Sequence, residues 1–259
     1  MMGAIPSFVP QLMAALFGAV VGSFLNVCIY RLPIRKSVVW PGSACPGCAR
    51  ALSWYENIPV LSFLALRGRC RTCRQTIGWR YPLIESLTAL MFGAAWWYYG
   101  PGLLLVSHLV FGCALIVLFA IDLEHQLLPN VITLPGIVAG FIFSFFTEPG
   151  WVASLIGILV GGGVLYAIAE TYYRVRHEEG LGMGDVKMLA MVGAFIGWKL
   201  TIVTLMAASF SGTFIGLFLI VAKRGGMKSA LPFGTFLAIG AAVAATVGPM
   251  ALDWYLGLW

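Results

Sequence analysis

Residues 102–121 read Gly102-Leu-Leu-Leu-Val-Ser-His-Leu-Val-Phe-Gly-Cys-Ala-Leu-Ile-Val-Leu-Phe-Ala-Ile121, and Asp122-Leu-Glu-His follows at once. A stretch of about 20 apolar residues is the length an α-helix needs to cross the hydrocarbon core of a bilayer. Working outward, the segments 8–30, 81–99, 131–146, 151–173, 186–198, 200–222 and 231–252 have the same character. Two of them, 131–146 and 186–198, are short, as tilted neighbours of a thinned or water-filled region would be. Composition agrees: 60% of the 259 residues are hydrophobic and the mean hydropathy is +0.92. Charged residues make up 10%, against about 25% in soluble domains. An ordinary cytosolic globule and a disordered chain are both excluded. The expected fold is an all-α polytopic membrane protein with about eight transmembrane helices. The first segment lacks the charged start and the Ala-x-Ala-like exit of a removable signal peptide, so it is read as a span.

Charge is concentrated. Residues 31–80 carry nine Lys/Arg against one acid, Glu56, and the rest of the chain is slightly acidic. A basic patch can bind nucleic acid. Directly after an apolar segment it reads instead as a cytoplasmic loop obeying the positive-inside rule, and no nucleic-acid partner is expected. With the N-terminus outside, the loops 31–80, 123–130 and 174–185 (with Lys187 at the membrane edge) and 223–230 collect fifteen of the sixteen Lys/Arg, leaving only Lys199 outside. Both termini are therefore expected outside. Trp96, Trp97, Tyr98 and Tyr99 at one outer edge, and Trp254, Tyr255 and Trp259 at another, suit an aromatic belt. The pairs Gly18/Gly22, Gly136/Gly140, Gly157/Gly161, Gly193/Gly197 and Gly212/Gly216 predict close helix–helix packing within the chain rather than a dimer interface.

Of six cysteines, Cys28 and Cys113 sit alone in apolar helices and read as small buried residues. The others form Cys45-Pro-Gly-Cys48 and Cys70-Arg-Thr-Cys73, with 21 residues between the pairs. Two such knuckles can set four sulfurs around zinc, and a reducing cytoplasm disfavours structural disulfides. The neighbouring Arg50, Arg69, Arg71 and Arg74 favour the thiolate, the ligand form. A redox dithiol pair is the alternative, but that function expects one motif rather than two. Four cysteine ligands close a zinc site, so the metal would staple the module and do no chemistry.

Ionisable residues in membrane segments point to function. The chain has three Asp. Asp253 lies in the outer tail. Asp122 ends one predicted helix and Asp185, in Gly182-Met-Gly184-Asp185-Val-Lys187, begins another, at the same cytoplasmic depth. Each alone has a bland reading, Asp185 as a helix cap and Asp122 as an ion-pair partner. Together they make a carboxylate dyad, one member protonated and one a base, that activates water against a peptide carbonyl. His-Glu-x-x-His and Gly-x-Ser-x-Gly do not occur, so metalloprotease and serine-hydrolase readings lack support. Glu85, in Arg80-Tyr-Pro-Leu-Ile-Glu85, either pairs with a basic residue such as Arg80 or serves a substrate or cofactor. Glu170 is expected to pair with Arg174, four residues on.

These motifs resemble those of the bacterial type IV prepilin peptidases, membrane aspartic peptidases of the Gly-x-Gly-Asp class. The resemblance rests on Gly182-Met-Gly184-Asp185-Val-Lys187, on Asp122-Leu-Glu-His-Gln-Leu-Leu-Pro129, and on Gly22-Ser-Phe-Leu-Asn26-Val-Cys-Ile-Tyr30-Arg31-Leu-Pro33. Both knuckles, Asn57-Ile-Pro59, Arg80-Tyr-Pro-Leu-Ile-Glu85 and Pro232-Phe-Gly234 extend it over nearly the whole chain. Asn130 stands where many relatives have Asp, and Thr235 where Pro often follows Phe-Gly.

The resemblance implies removal of the basic leader of prepilins and pseudopilins at the cytoplasmic face of the inner membrane. It also implies N-methylation of the new terminus by S-adenosylmethionine. Asp122 and Asp185 would be the peptidase pair, and Cys45, Cys48, Cys70 and Cys73 the zinc ligands. Archaeal relatives lack the cysteine module and the methylation, so the module favours the bifunctional type. The implied organisation is a first transmembrane helix (1–30), a cytoplasmic four-cysteine zinc module (31–80) and a transmembrane aspartic peptidase domain (81–259). Glu85 is the only candidate for the cofactor site, as no Gly-rich nucleotide loop is recognisable. The basic loop would repel a basic leader, and is expected to grip anionic lipid headgroups instead. A small membrane transporter with a zinc-stapled loop is the rival reading; it would place its acids near the midplane, on broken helices.

Overall fold

The computed structural model describes residues 8–177, 182–222 and 232–257. Parts of the predicted 174–185 loop, the 223–230 loop and Trp259 lie outside them. The helices are α1 (Phe8–Arg31), α2 (Leu61–Ala65), α3 (Arg80–Tyr99), α4 (Leu103–His125), α5 (Asn130–Phe143), α6 (Trp151–Arg176), α7 (Met183–Val221), α8 (Phe233–Thr246) and α9 (Gly248–Leu256). Among the described residues there are only isolated β-bridges, Ala44 with Ala51 and Arg69 with Thr76.

Helix ends follow local chemistry. Arg31 in the last turn of α1 complements the carbonyl end of the helix dipole. Pro129 and Pro232 precede the first residues of α5 and α8, where a missing N–H costs nothing. Among the described residues, four helices are long and apolar enough to cross a membrane: α1, α4, α6 and α7. The bent pair α8–α9, kinked by 65°, makes a fifth if counted as one span. α5 is apolar but has only 14 residues, and α3, which carries Arg80 and Glu85, is not among them.

The chain divides into two compact units between Leu109 and Val110. In the first, α1 packs on α3 through its glycines. A Cβ on Gly18 would lie 2.7 Å from Phe92 Cβ, and one on Gly22 2.8 Å from Glu85 Cα. The small-residue pair thus serves packing within the chain. Between these helices run the two cysteine knuckles, a 3-10 turn over Trp54–Asn57, and α2.

In the second unit the helix predicted over 186–198 and the one over 200–222 form the single assignment α7, but it is not straight. Gly197, at φ 75, is non-helical, a conformation open to glycine and costly for residues with a Cβ. A Cβ on Gly161 of α6 would lie 2.5 Å from Leu189 O and 3.2 Å from Thr201 Cγ2. Twelve residues of straight helix would hold those two apart by about 18 Å. The chain therefore folds back at Gly197 into two arms. The turn packs on Pro149, whose Cβ would stand 3.0 Å from a Cβ on Gly197, and the Thr201 hydroxyl donates to Gly197 O at 2.7 Å.

The first arm is the centre of this unit. Met188 through Gly197 are all buried, as expected of a helix that is apolar on every face. The Gly157 and Gly193 backbones touch so closely that a Cβ on either would overlap the other. Gly140 of α5 meets Ala194, at 2.9 Å for an added Cβ. Ser154 satisfies the buried Ala194 carbonyl at 2.7 Å. The second arm packs against α8, where a Cβ on Gly240 would lie 2.8 Å from Thr204 O.

Candidate active site and metal centre

α4 delivers Asp122 at its last turn, and the side chain is 4% exposed. Its Oδ2 accepts two hydrogen bonds from Thr235, from the backbone N–H at 2.6 Å and from the hydroxyl at 3.0 Å. Thr235 lies in the first turn of α8, where backbone N–H groups have no intrahelical acceptor and the dipole favours an anion. Gly234 makes this approach possible. A Cβ there would lie 3.0 Å from both Cγ and Oδ2 of Asp122.

Asp185 occupies the equivalent place on α7, one residue after Gly184 in the first turn, and the Gly182 N–H donates back to its carboxylate. Such a reach-back bond closes a helix start in the manner of a capping box. The backbones next to the two aspartates' helix ends converge on Leu128. An added Cβ on Gly184 would lie 2.9 Å from Leu128 Cβ, and one on Gly234 2.9 Å from Leu128 Cδ1. Asp122 is within electrostatic reach of Asp185. The structure thus brings together the two Asp residues that the sequence singled out.

Of the polar residues beside them, Lys187 Nζ donates to Asn130 Oδ1 at 3.0 Å, which ties the start of α7 to the start of α5. Glu124 and His125 are exposed, and their side chains lie 3.9 Å apart. The expected Glu170–Arg174 pair is present at 2.8 Å. Thr235 is visible in the sequence only as a departure from Phe-Gly-Pro, and Leu128 only as one position of the Asp122-to-Pro129 motif, with no role attached. Pro232-Phe-Gly234 was the pointer to this part of the site.

The four cysteines of the first unit form one cluster, with all ligand atoms within 4.8 Å of one another. The Cys45 and Cys73 sulfurs lie 3.7 Å apart. Zn–S bonds of about 2.3 Å in a tetrahedron require sulfurs roughly 3.8 Å apart, so the four thiols fit zinc. The knuckles are built alike. The N–H groups of Cys45 and Cys70 bond the carbonyls of Arg50 and Gln75 at 2.9 and 2.8 Å. The residue after each second cysteine, Ala49 at φ 56 and Arg74 at φ 60, takes a left-handed conformation. Backbone N–H groups of Cys73 and Thr72 directed at Cys70 bring its thiol down to about 6, which favours the ligand form, whereas Cys73, despite the Gln75 N–H that lowers it, is pushed up to about 11 by burial and by the sulfurs around it.

The module is braced by one ion pair. Arg50 reaches Glu56 at 2.6 Å, and the Glu56 side chain is 2% exposed. The Arg50 guanidinium first, and the Ser53 N–H second, hold this carboxyl below the usual carboxylate range. Arg71 bonds the Tyr55 hydroxyl. Glu85, 7% exposed, accepts the Val60 N–H at 2.7 Å and the Ser23 hydroxyl. Val60 is β-branched and at φ 61, a strained conformation that needs such support.

Two family models match the chain, "Bacterial Peptidase A24 N-terminal domain" over residues 16–99 and "Type IV leader peptidase family" over residues 109–217. The chain is similar to the prepilin leader peptidase/N-methyltransferase of Pseudomonas putida, 37% identical over 91% of this chain and 90% of that one. It is similar to the enzyme of that name in Aeromonas hydrophila, 36% identical over 93% and 92%. The same holds for that of Burkholderia pseudomallei strain 1026b, 37% identical over 95% and 88%. No solved structure matches the chain. The four cysteines and Glu85 fall in the first matched stretch, Asp122 and Asp185 in the second, and the chain belongs to the type IV leader peptidase family.

Proposed function

We propose that this protein is a bifunctional enzyme of the bacterial inner membrane. It cleaves the basic leader from type IV prepilins and pseudopilins, and it N-methylates the terminus so exposed. The observation that carries the peptidase reading is the convergence on Leu128 of the two helix ends that bear Asp122 and Asp185, with the carboxylates within electrostatic reach of each other and Asp122 held by Thr235. Two carboxyls in one shielded site share a proton. The ionised member takes a proton from water, whose oxygen attacks the scissile carbonyl. The protonated member gives its proton to the leaving amine as the C–N bond breaks. Thr235 occupies Oδ2 of Asp122 and so leaves Oδ1 to face the water.

The substrate's chemistry suits the layout. A prepilin has a basic leader in water, then an apolar helix in lipid, with the scissile bond at their boundary. Aspartates at helix ends rather than mid-helix lie at that depth. A count of eight membrane crossings is supported by the fold-back at Gly197, which makes two arms of α7, and periplasmic termini by the distribution of Lys and Arg among the loops. The 31–80 module and the aspartates then share the cytoplasmic face, with 1–30 as the first span, 81–259 as the peptidase domain and anionic lipid headgroups beside the basic module. Cys45, Cys48, Cys70 and Cys73 hold zinc, which staples the module. Bound S-adenosylmethionine supplies the methyl group. The transporter reading has no support in the family.

The deciding experiment is incubation of the purified full chain with a prepilin, with and without S-adenosylmethionine, read by intact mass. Loss of the leader in both samples, and a gain of one methyl group only with the donor, is the expected result. An uncut prepilin would overturn the peptidase reading.

A further inference from the structure

The first unit contains a cavity of about 710 Å³, within the roughly 300–1,000 Å³ of small-molecule sites. Its walls come from the inner end of α1, the two knuckles, α2 and the start of α3. Most polar groups facing it are already committed. Glu56 is held by Arg50 and the Ser53 N–H. Arg31 donates to the Ser37 and Gly42 carbonyls at 2.9 and 3.1 Å.

Asn26 is different. It lines the cavity and is 2% exposed, yet its Oδ1 has no hydrogen-bond partner. The orientation of the amide is fixed, because Nδ2 donates to the Tyr81 and Gly22 carbonyls at 3.1 and 3.4 Å. Turning it over would set three oxygens against one another. A buried acceptor without a donor is costly and calls for an explanation. Beside it on the same wall stands Glu85, a buried carboxylate that already accepts from the Val60 N–H and the Ser23 hydroxyl, and the aromatic rings of Tyr30, Trp40 and Tyr81 complete the wall. Lys36 and Arg71 are the exposed cations among the lining residues, Arg71 being already bonded to the Tyr55 hydroxyl.

A ligand for such a site carries N–H donors or an onium centre toward the acceptors and rings, and a carboxylate toward the cations. S-adenosylmethionine has all of these: an adenine amine, a sulfonium, an ammonium and a carboxylate. We infer that this cavity is the methyl-donor site, with Asn26 Oδ1 as its buried polar anchor and Glu85 beside it. The inference rests on the methyltransferase activity proposed above. Its position on the first unit also gives the cysteine module a task beyond its own folding, since Cys45 and Cys70 form part of the cavity wall.

Binding tests this without any turnover. Zinc-loaded full-length protein in detergent is dialysed to equilibrium against tritiated S-adenosylmethionine. Asn26→Leu removes the acceptor. Gly78→Trp fills the cavity from a lining position where an added Cβ meets no heavy atom within 4 Å. Gly163→Trp, equally unobstructed but in the second unit, is the control. The expected result is at least tenfold weaker binding in the first two and wild-type binding in the third, with zinc content and thermal transition retained. If Asn26→Leu does not fold, Gly78→Trp decides. Wild-type affinity in both cavity variants, or an equal loss in Gly163→Trp, would overturn the site. Wild-type protein that takes up no donor at millimolar concentration would overturn the methyltransferase reading as well, and leader cleavage by the same sample would show that the peptidase reading stands.

Discussion

Thr235 donates twice to a single oxygen of Asp122, through its backbone N–H at 2.6 Å and its hydroxyl at 3.0 Å. The N–H fixes where the carboxylate sits, and the hydroxyl fixes its rotation. Thr235→Val keeps the first bond and loses the second. A hydrogen bond to a charged group is worth about 1.5 kcal/mol or more, so cleavage should slow by roughly tenfold in kcat with little change in KM. Thr235→Ser should restore the rate. A Val variant as fast as wild type would show that the hydroxyl does not position Asp122.

Asp122→Asn and Asp185→Asn are nearly isosteric, so folding should survive while leader removal falls by about a thousandfold or more. Each variant should still methylate a pilin supplied already trimmed. Glu85→Gln should show the reverse, with cleavage kept and methylation lost. One mass spectrum per variant scores both reactions. Normal cleavage by either Asn variant would eliminate the dyad.

Gly234→Ala tests the close approach of α8 to Asp122. The new methyl would stand 2.9 Å from Leu128 Cδ1 and 3.0 Å from Asp122 Cγ. Overpacking of this kind costs about 1–3 kcal/mol, and here the yielding parts are the site itself. A lowered melting temperature with a large loss of cleavage is expected. Gly163→Ala, with open space around its Cβ position, should change neither.

Purified protein should contain about one zinc per chain. Cys45→Ser combined with Cys48→Ser should release it and expose the module to limited proteolysis, while α4 to α8 remain protected. Freshly reduced protein without zinc would remove the metal assignment.

The Arg50–Glu56 pair has a pH signature. Glu56 titrates below its unfolded value of about 4.3. Its stabilising contribution is therefore fully present above that value and is lost as pH falls through the lower, folded one. Glu56→Gln should weaken the module at neutral pH, and the difference from wild type should vanish in strong acid. Tryptophan fluorescence of Trp54 against pH follows this; a gap that widens on acidification would reverse the sign and refute the account.

Which of these residues could be read from sequence depends on how far apart their partners lie in the chain. Asp122 and Asp185 were legible because each ends or begins an apolar run. The knuckles were legible because their ligands are local. Thr235 was not, since its partner lies 113 residues away and nothing in Phe-Gly-Thr announces it. Val60 and Glu85 are likewise joined only by the fold. Spans 186–198 and 200–222 were separated in sequence by Lys199, but the break falls at Gly197, where φ 75 marks the turn. Asn26 enters the sequence reading only as one position of the Gly22-to-Pro33 motif; its fixed amide and the cavity beside it reveal an unused acceptor.

The fold-back at Gly197 has a mechanical consequence. The arm that carries Asp185 touches protein on every side, whereas the returning arm presents Phe210, Phe214 and Phe218, at 71%, 74% and 64% exposure. The apolar surface on this part of α7 is therefore carried by the returning arm, and the arm that positions Asp185 is screened from it by its neighbours. Asp185 stands on a shielded post flanked by α5 and α6, and the returning arm, not the post, meets α8 at Thr204 and Gly212.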